Sequence, residues 1–84
     1  MRYYLDTCFF LETLKKSRSP ENLERRIRLL KRPEVEEIIV TREVYDELSR
    51  NLYMFDDTTR SYVLNLINRL YGEGVITLEE VGVS

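Results

Sequence analysis

Histidine, tryptophan, alanine and glutamine are missing from this chain altogether, and cysteine occurs once, at Cys8. Without imidazole the usual general base at neutral pH is gone, which excludes the Ser-His-Asp and Cys-His mechanisms. A lone thiol excludes an internal disulfide, and there is no histidine or cysteine cluster to hold zinc. Any metal must therefore be held by oxygen. The missing alanine and glutamine, beside an abundance of Glu, Arg, Leu and Val, resemble hyperthermophile usage, which favours ionic networks over thermolabile side chains. Long apolar runs are absent too: none approaches the roughly 20 residues that cross a bilayer. The amino terminus has no basic region leading into an apolar stretch and a cleavage site. The expectation is a cytoplasmic protein with no membrane partner.

What is present describes a globular domain. Hydrophobic residues make up 43% and charged residues 33% of 84 positions, which fits neither a disordered nor a membrane-embedded chain. A single domain of this size buries only about 60 to 65% of its unfolded surface, so its core is small and it is expected either to be marginally stable or to lean on a partner. The net charge of −2 lacks the basic footprint of most nucleic-acid binders. Its distribution is uneven, however. Lys15, Lys16, Arg18, Arg25, Arg26, Arg28, Lys31 and Arg32 hold eight of the 13 basic residues. This stretch reads either as solvated helix surface or as a face for phosphate.

Tyr3 to Leu5 predicts a short strand, buried on both faces because nothing polar alternates in it before Asp6. Cys8, Phe9, Leu11 and Leu14 predict a helix to about Lys16, with Asp6 or Thr7 as its cap and Cys8 on its buried face. Ser17 to Pro20 is a break. A second helix starts at Ser19 or Pro20, buries Leu23, Ile27 and Leu30, pairs Glu24 with Arg28, and ends near Arg32 before Pro33. Ile38 to Val40 is β-branched and unalternated, an interior strand. Thr41 caps a third helix, Arg42 to about Asn51, with Val44, Leu48 and Leu52 inward. After a connection over Tyr53 to Asp57, a fourth helix runs through Tyr71 on Val63, Leu66, Ile67 and Leu70. It stops at Gly72 and Gly74. Val75 to Leu78 is the last strand. The order strand, helix, helix, strand, helix, helix, strand predicts an α/β fold: a three-stranded parallel sheet flanked by about four helices, in one domain over residues 1–84.

Asp6 follows the first strand, and Glu47 lies in the first two turns of the helix after the second strand. In a parallel sheet both belong to one edge, the edge where ligands and metals bind. Two carboxylates there suit Mg²⁺ or Mn²⁺, hard cations that take carboxylate, water and phosphate oxygens. Each residue also has a plainer reading: Asp6 as a helix cap, Glu47 as a surface acid paired with Arg50 or another base. Asp56 and Asp57 read as caps of the fourth helix or as metal ligands, and Glu43, one turn before Glu47, as a support for that site or as an acid suited to an early helical turn. Tyr53, Phe55 and Tyr62 read as packing or subunit contacts, or as stacking platforms for bases.

At these positions the chain resembles the PIN-domain family, small metal-dependent ribonucleases that include the toxins of many toxin–antitoxin pairs. The resemblance rests on Tyr3 to Thr7, a hydrophobic strand ending in Asp-Thr; on the apolar helix Phe9 to Leu14; on the strand and hydroxyl cap Ile38 to Thr41; and on Val44 to Leu48, which carries Glu47 at the family's second acidic position. It implies a cytoplasmic, Mg²⁺- or Mn²⁺-dependent endoribonuclease with Asp6 and Glu47 as catalytic metal ligands. RNA would be the substrate, a homo-oligomer the assembly, and an antitoxin-like protein a partner. The chain stops at Ser84, so the resemblance is to a truncated PIN-like fold lacking the family's C-terminal helix and strand and the acids they carry. Glu79 and Glu80 stand where they could substitute in part. Two further readings stay open: a non-catalytic PIN-fold interaction or assembly module, and a winged-helix DNA-binding protein built on Leu64 to Leu78.

Overall fold

The computed structural model describes residues 1–16 and 19–80; Ser17 and Arg18 of the expected break, and the closing Val83 and Ser84, lie outside the described residues. Strand β1 (Arg2–Tyr4) is followed by helices α1 (Thr7–Lys16) and α2 (Glu21–Leu30). Strand β2 (Glu37–Thr41), helix α3 (Arg42–Asn51), a single 3₁₀ turn (Leu52–Met54), helix α4 (Asp57–Gly72) and strand β3 (Thr77–Glu79) complete the order. The fold is α/β, as the alternation predicts.

Three of the helices begin where a short polar side chain accepts a free amide hydrogen. Phe9 N donates to Asp6 Oδ1 at 2.9 Å, Val44 N to Thr41 Oγ1 at 3.2 Å, and Thr59 N to Asp56 Oδ1 at 2.7 Å. Helix α2 starts instead behind Pro20, whose missing N–H is no loss there. Helix α4 closes on Gly74, whose φ of 80° is left-handed. The Val75 amide donates to the Leu70 carbonyl and the Gly74 amide to that of Tyr71, so carbonyls left open by the helix end are satisfied.

The strands lie in the order β1-β2-β3, all parallel, with Tyr4 beside Ile39, Ile39 beside Thr77 and Thr41 beside Glu79. Both crossovers step in one direction, and the right-handed preference of such crossovers then sends every connection to the same face. On that face Leu5, Ile38, Val40 and Ile76 join Phe10, Leu23, Ile27, Leu48, Leu52, Val63, Leu66, Ile67 and Leu70 in one core. Residues alternate between faces along a strand. Arg2, Tyr4, Glu37, Ile39, Thr41, Thr77 and Glu79 therefore share the other face, outside the helical core. Ile39 is 0% exposed yet stands apart from that core. The Arg2 guanidinium bridges this face, reaching from β1 across β2 to Glu37 at 3.1 Å and Glu79 at 2.8 Å.

Two expectations are corrected. The first strand is not buried on both faces: β1 is an edge strand, with Tyr3 36% and Tyr4 49% exposed. An unalternated run of three residues is too short to distinguish an interior strand from an edge strand. Cys8 is exposed, not a core residue. The inward stripe of α1 is Thr7, Phe10 and Thr13, one position away from the apolar spacing. Two threonines take core positions because their hydroxyls are satisfied there: Thr13 donates to the Phe9 carbonyl at 2.8 Å and accepts from Arg26 at 2.6 Å.

Candidate metal-binding site

The parallel sheet ends β1 and β2 at the same edge and starts a helix from each. Asp6 is the capping residue of α1, and Glu47 lies on α3, which packs against α1. Thr7 joins them: its hydroxyl donates to Glu47 Oε2 at 2.5 Å, across a sequence separation of 40. Standard bond lengths then hold that carboxylate oxygen within about 9 Å of the Asp6 Cα. Thr7 is buried, so the bond is shielded on one side, whereas Asp6 and Glu47 are both exposed. Capping and a place beside Glu47 thus coexist in Asp6. One of its oxygens takes the Phe9 amide.

The plainer reading of Glu47 as an ion-pairing surface acid finds no support, since among the described residues neither Glu47 nor Asp6 is in an ion pair. Other acids are taken. Glu79 is held by Arg2, and Glu80 by Arg42 at 2.7 Å. Asp56 caps α4, and its carboxyl is drawn below the usual range by the Thr59 hydroxyl and amide. Asp57 pairs with Arg60. Among the described residues there is no group of three acidic, histidine or cysteine side chains set to hold a metal. A cation here would take its further oxygens from water or a substrate.

A cleft of about 330 Å³ opens along the same edge, lined by Arg42, Tyr45, Asp46, Asn68, Leu78, Glu79 and Glu80. It includes neither Asp6 nor Glu47, which lie on open surface. Within the basic stretch Arg28 is engaged by Glu24 and Glu73, and Arg26 lies over the Phe9 ring at 4.9 Å. Phe55 and Tyr62 pack against the core; Tyr53 is exposed. Strand β3, which comes after α4, pairs in parallel with β2 and so does not form the antiparallel ribbon of a wing. No helix among the described residues is long and apolar enough to cross a membrane.

In the sequence Asp6 and Glu47 stand out as candidates, whereas Thr7 reads only as an alternative cap. The hydroxyl directly after the acid was the available signal. The class defined by fold and site is a small α/β domain with helices on one face and, at its carboxyl edge, the helix-capping Asp6 next to the Thr7 that donates to Glu47. No protein-family profile, curated protein or solved structure matches the chain.

Proposed function

We propose that this chain is a PIN-like, divalent-cation-dependent endoribonuclease, with Asp6 and Glu47 as the cation's protein ligands. The observation that supports the reading is the Thr7 hydrogen bond to Glu47, which ties that carboxylate to the residue directly after Asp6 at the start of α1. The donor set is all oxygen and suits Mg²⁺ or Mn²⁺, which commonly bind through one or two carboxylates together with water and phosphate. Such a cation lowers the pKa of a coordinated water and offsets charge on a phosphoryl group. The chain's own part is to aim the ligands. Thr7 holds one oxygen of Glu47, the Phe9 amide holds one of Asp6, and the amino end of α1 favours negative charge beside both. Mn²⁺ should raise the melting temperature of the protein, and the pair of changes Asp6→Asn and Glu47→Gln should abolish the rise. An equal rise in the double variant defeats the cation site. With the site intact, cleavage of a single-stranded RNA should require the cation and disappear in the same variant.

A second reading, an assembly module of the same fold, is supported by the exposed edge strand β1 and the sheet face that the helices leave open. It predicts no cation-dependent cleavage and a chain that self-associates.

A further inference from the structure

Strand β1 presents an edge whose hydrogen-bonding groups and side chains are complementary to a second copy of themselves. Leu5 N donates to the Ile39 carbonyl at 2.9 Å, and the Met1 carbonyl accepts from Glu36 N at 2.8 Å. In a parallel ladder alternate residues turn their N–H and C=O to the same neighbour. Met1, Tyr3 and Leu5 therefore face β2, and the N–H and C=O of Arg2 and Tyr4 point away from the sheet. Such a row is a template for another strand.

We infer that two copies of this chain pair antiparallel through β1, with Tyr3 on the two-fold axis and Arg2 of each copy opposite Tyr4 of the other. In this register both outward-facing residues form hydrogen-bonded pairs, each exchanging its two N–H···O bonds, and Tyr3 meets its own symmetry mate in the close, non-hydrogen-bonded position. The side chains agree with the backbone. Arg2 and Tyr4 share the open face, and within one chain the guanidinium already lies 5.7 Å from the Tyr4 ring centroid. Pairing sets the Tyr4 ring of each copy beside the aliphatic stem of the other's Arg2, whose guanidinium stays over its own sheet with Glu37 and Glu79. Tyr3, on the helical side, meets a second Tyr3 as an aromatic pair. A register shifted to place Arg2 opposite Arg2 loses one of the paired sets and sets like charges together. The interface obeys the isologous rule that each residue's contact is returned by its mate.

The product is a continuous six-stranded sheet. The two β1 strands run in opposite directions, so the Asp6 and Glu47 carboxylates of the two copies fall on opposite edges. Assembly is thus independent of the cation, and it is tested in the presence of chelator so that failure of the nuclease reading leaves it untouched. A three-residue contact buries less than a standard interface of about 1,600 Å² and gives a weak, concentration-dependent dimer.

Sedimentation of the full chain from micromolar to millimolar concentration should show monomer passing to dimer. Tyr4→Pro removes an outward N–H while leaving the bonds to β2 in place, and proline is tolerated on the free side of an edge strand. It should abolish the dimer with the circular dichroism spectrum retained. Register is read by disulfide trapping in a Cys8→Ser background. Tyr3→Cys should form an intermolecular disulfide under mild oxidation, since the close position brings Cα atoms to about 4.5 Å, and Tyr4→Cys should form at most a tenth as much. A chain that stays monomeric at millimolar concentration overturns the inference. So does a dimer unaffected by Tyr4→Pro, or trapping through Tyr4→Cys in preference to Tyr3→Cys.

Discussion

Asparagine caps a helix about as well as aspartate, so Asp6→Asn separates the two roles of this side chain. At neutral pH and without added metal, urea denaturation of Asp6→Asn should give a stability within about 0.5 kcal/mol of the parent, whereas Asp6→Ala should lose about 1 kcal/mol with the cap. Both should lose the stabilisation by Mn²⁺. If Asp6→Asn keeps it, the carboxylate is a cap and nothing more. Thr7→Val keeps the side chain's shape and removes the hydroxyl that donates to Glu47. A cost of about 0.5 to 1.5 kcal/mol is expected for one lost hydrogen bond, along with a higher Mn²⁺ concentration at half response. Asp6 and Glu47 were each readable as candidates from their neighbours in sequence. Thr7 as their link was not, because a hydroxyl after an acid has too many other uses.

Among the elements, α2 and α4 are joined by a ring of charges that the sequence disclosed only in part. The Glu24–Arg28 pair, four residues apart on one helix, was legible. Its extension was not: Glu24 Oε1 also meets Arg69 at 2.8 Å, Arg28 meets Glu73 at 3.0 Å, and Arg69 meets Glu73 at 3.6 Å. Arg69 and then Arg28 hold the Glu24 carboxyl down at about 2, from an ordinary value of 4.5. A depressed carboxylate stabilises the fold above its unfolded pKa and loses that contribution as pH falls through the folded one. The full shift corresponds to about 3 kcal/mol, which screening at the half-exposed arginines reduces to about 1 to 2 kcal/mol. Glu24→Gln should therefore be less stable than the parent by about that amount at pH 7. The gap should close between pH 4.5 and pH 2. A constant gap across that range would mean that the lost term is packing rather than charge. Element boundaries were legible for a different reason: Asp6, Thr41, Asp56, Pro20 and Gly74 each act within a few residues of the backbone they stop or start.

At the scale of the whole molecule the sheet is unequal on its two sides. Ile38 and Ile39 are adjacent, both 0% exposed, but only Ile38 belongs to the helical core. Ile38→Ala should cost about 2 to 5 kcal/mol, as for other buried aliphatic truncations, a large share of the roughly 5 to 15 kcal/mol that holds a small domain together. Ile39→Ala should cost less, since Ile39 stands outside the helical core and its truncation leaves no cavity within it; a chemical denaturation series on the two variants checks the order. Amide exchange measured at low concentration, where chains are separate, should be slow at Tyr3 and Leu5 and fast at Arg2 and Tyr4. Sequence alone determined the alternation of strands and helices, their caps and the two candidate acids, because hydrophobic period and turn chemistry operate over one or two helical turns. Tertiary structure alone decided that β1 lies at an edge, that Cys8 faces outward while two threonines face in, that Arg2 bridges β2 to reach Glu79, and that Thr7 meets Glu47. Each of these depends on which surface another element occupies, and that is settled only when distant segments compete to bury the same small core.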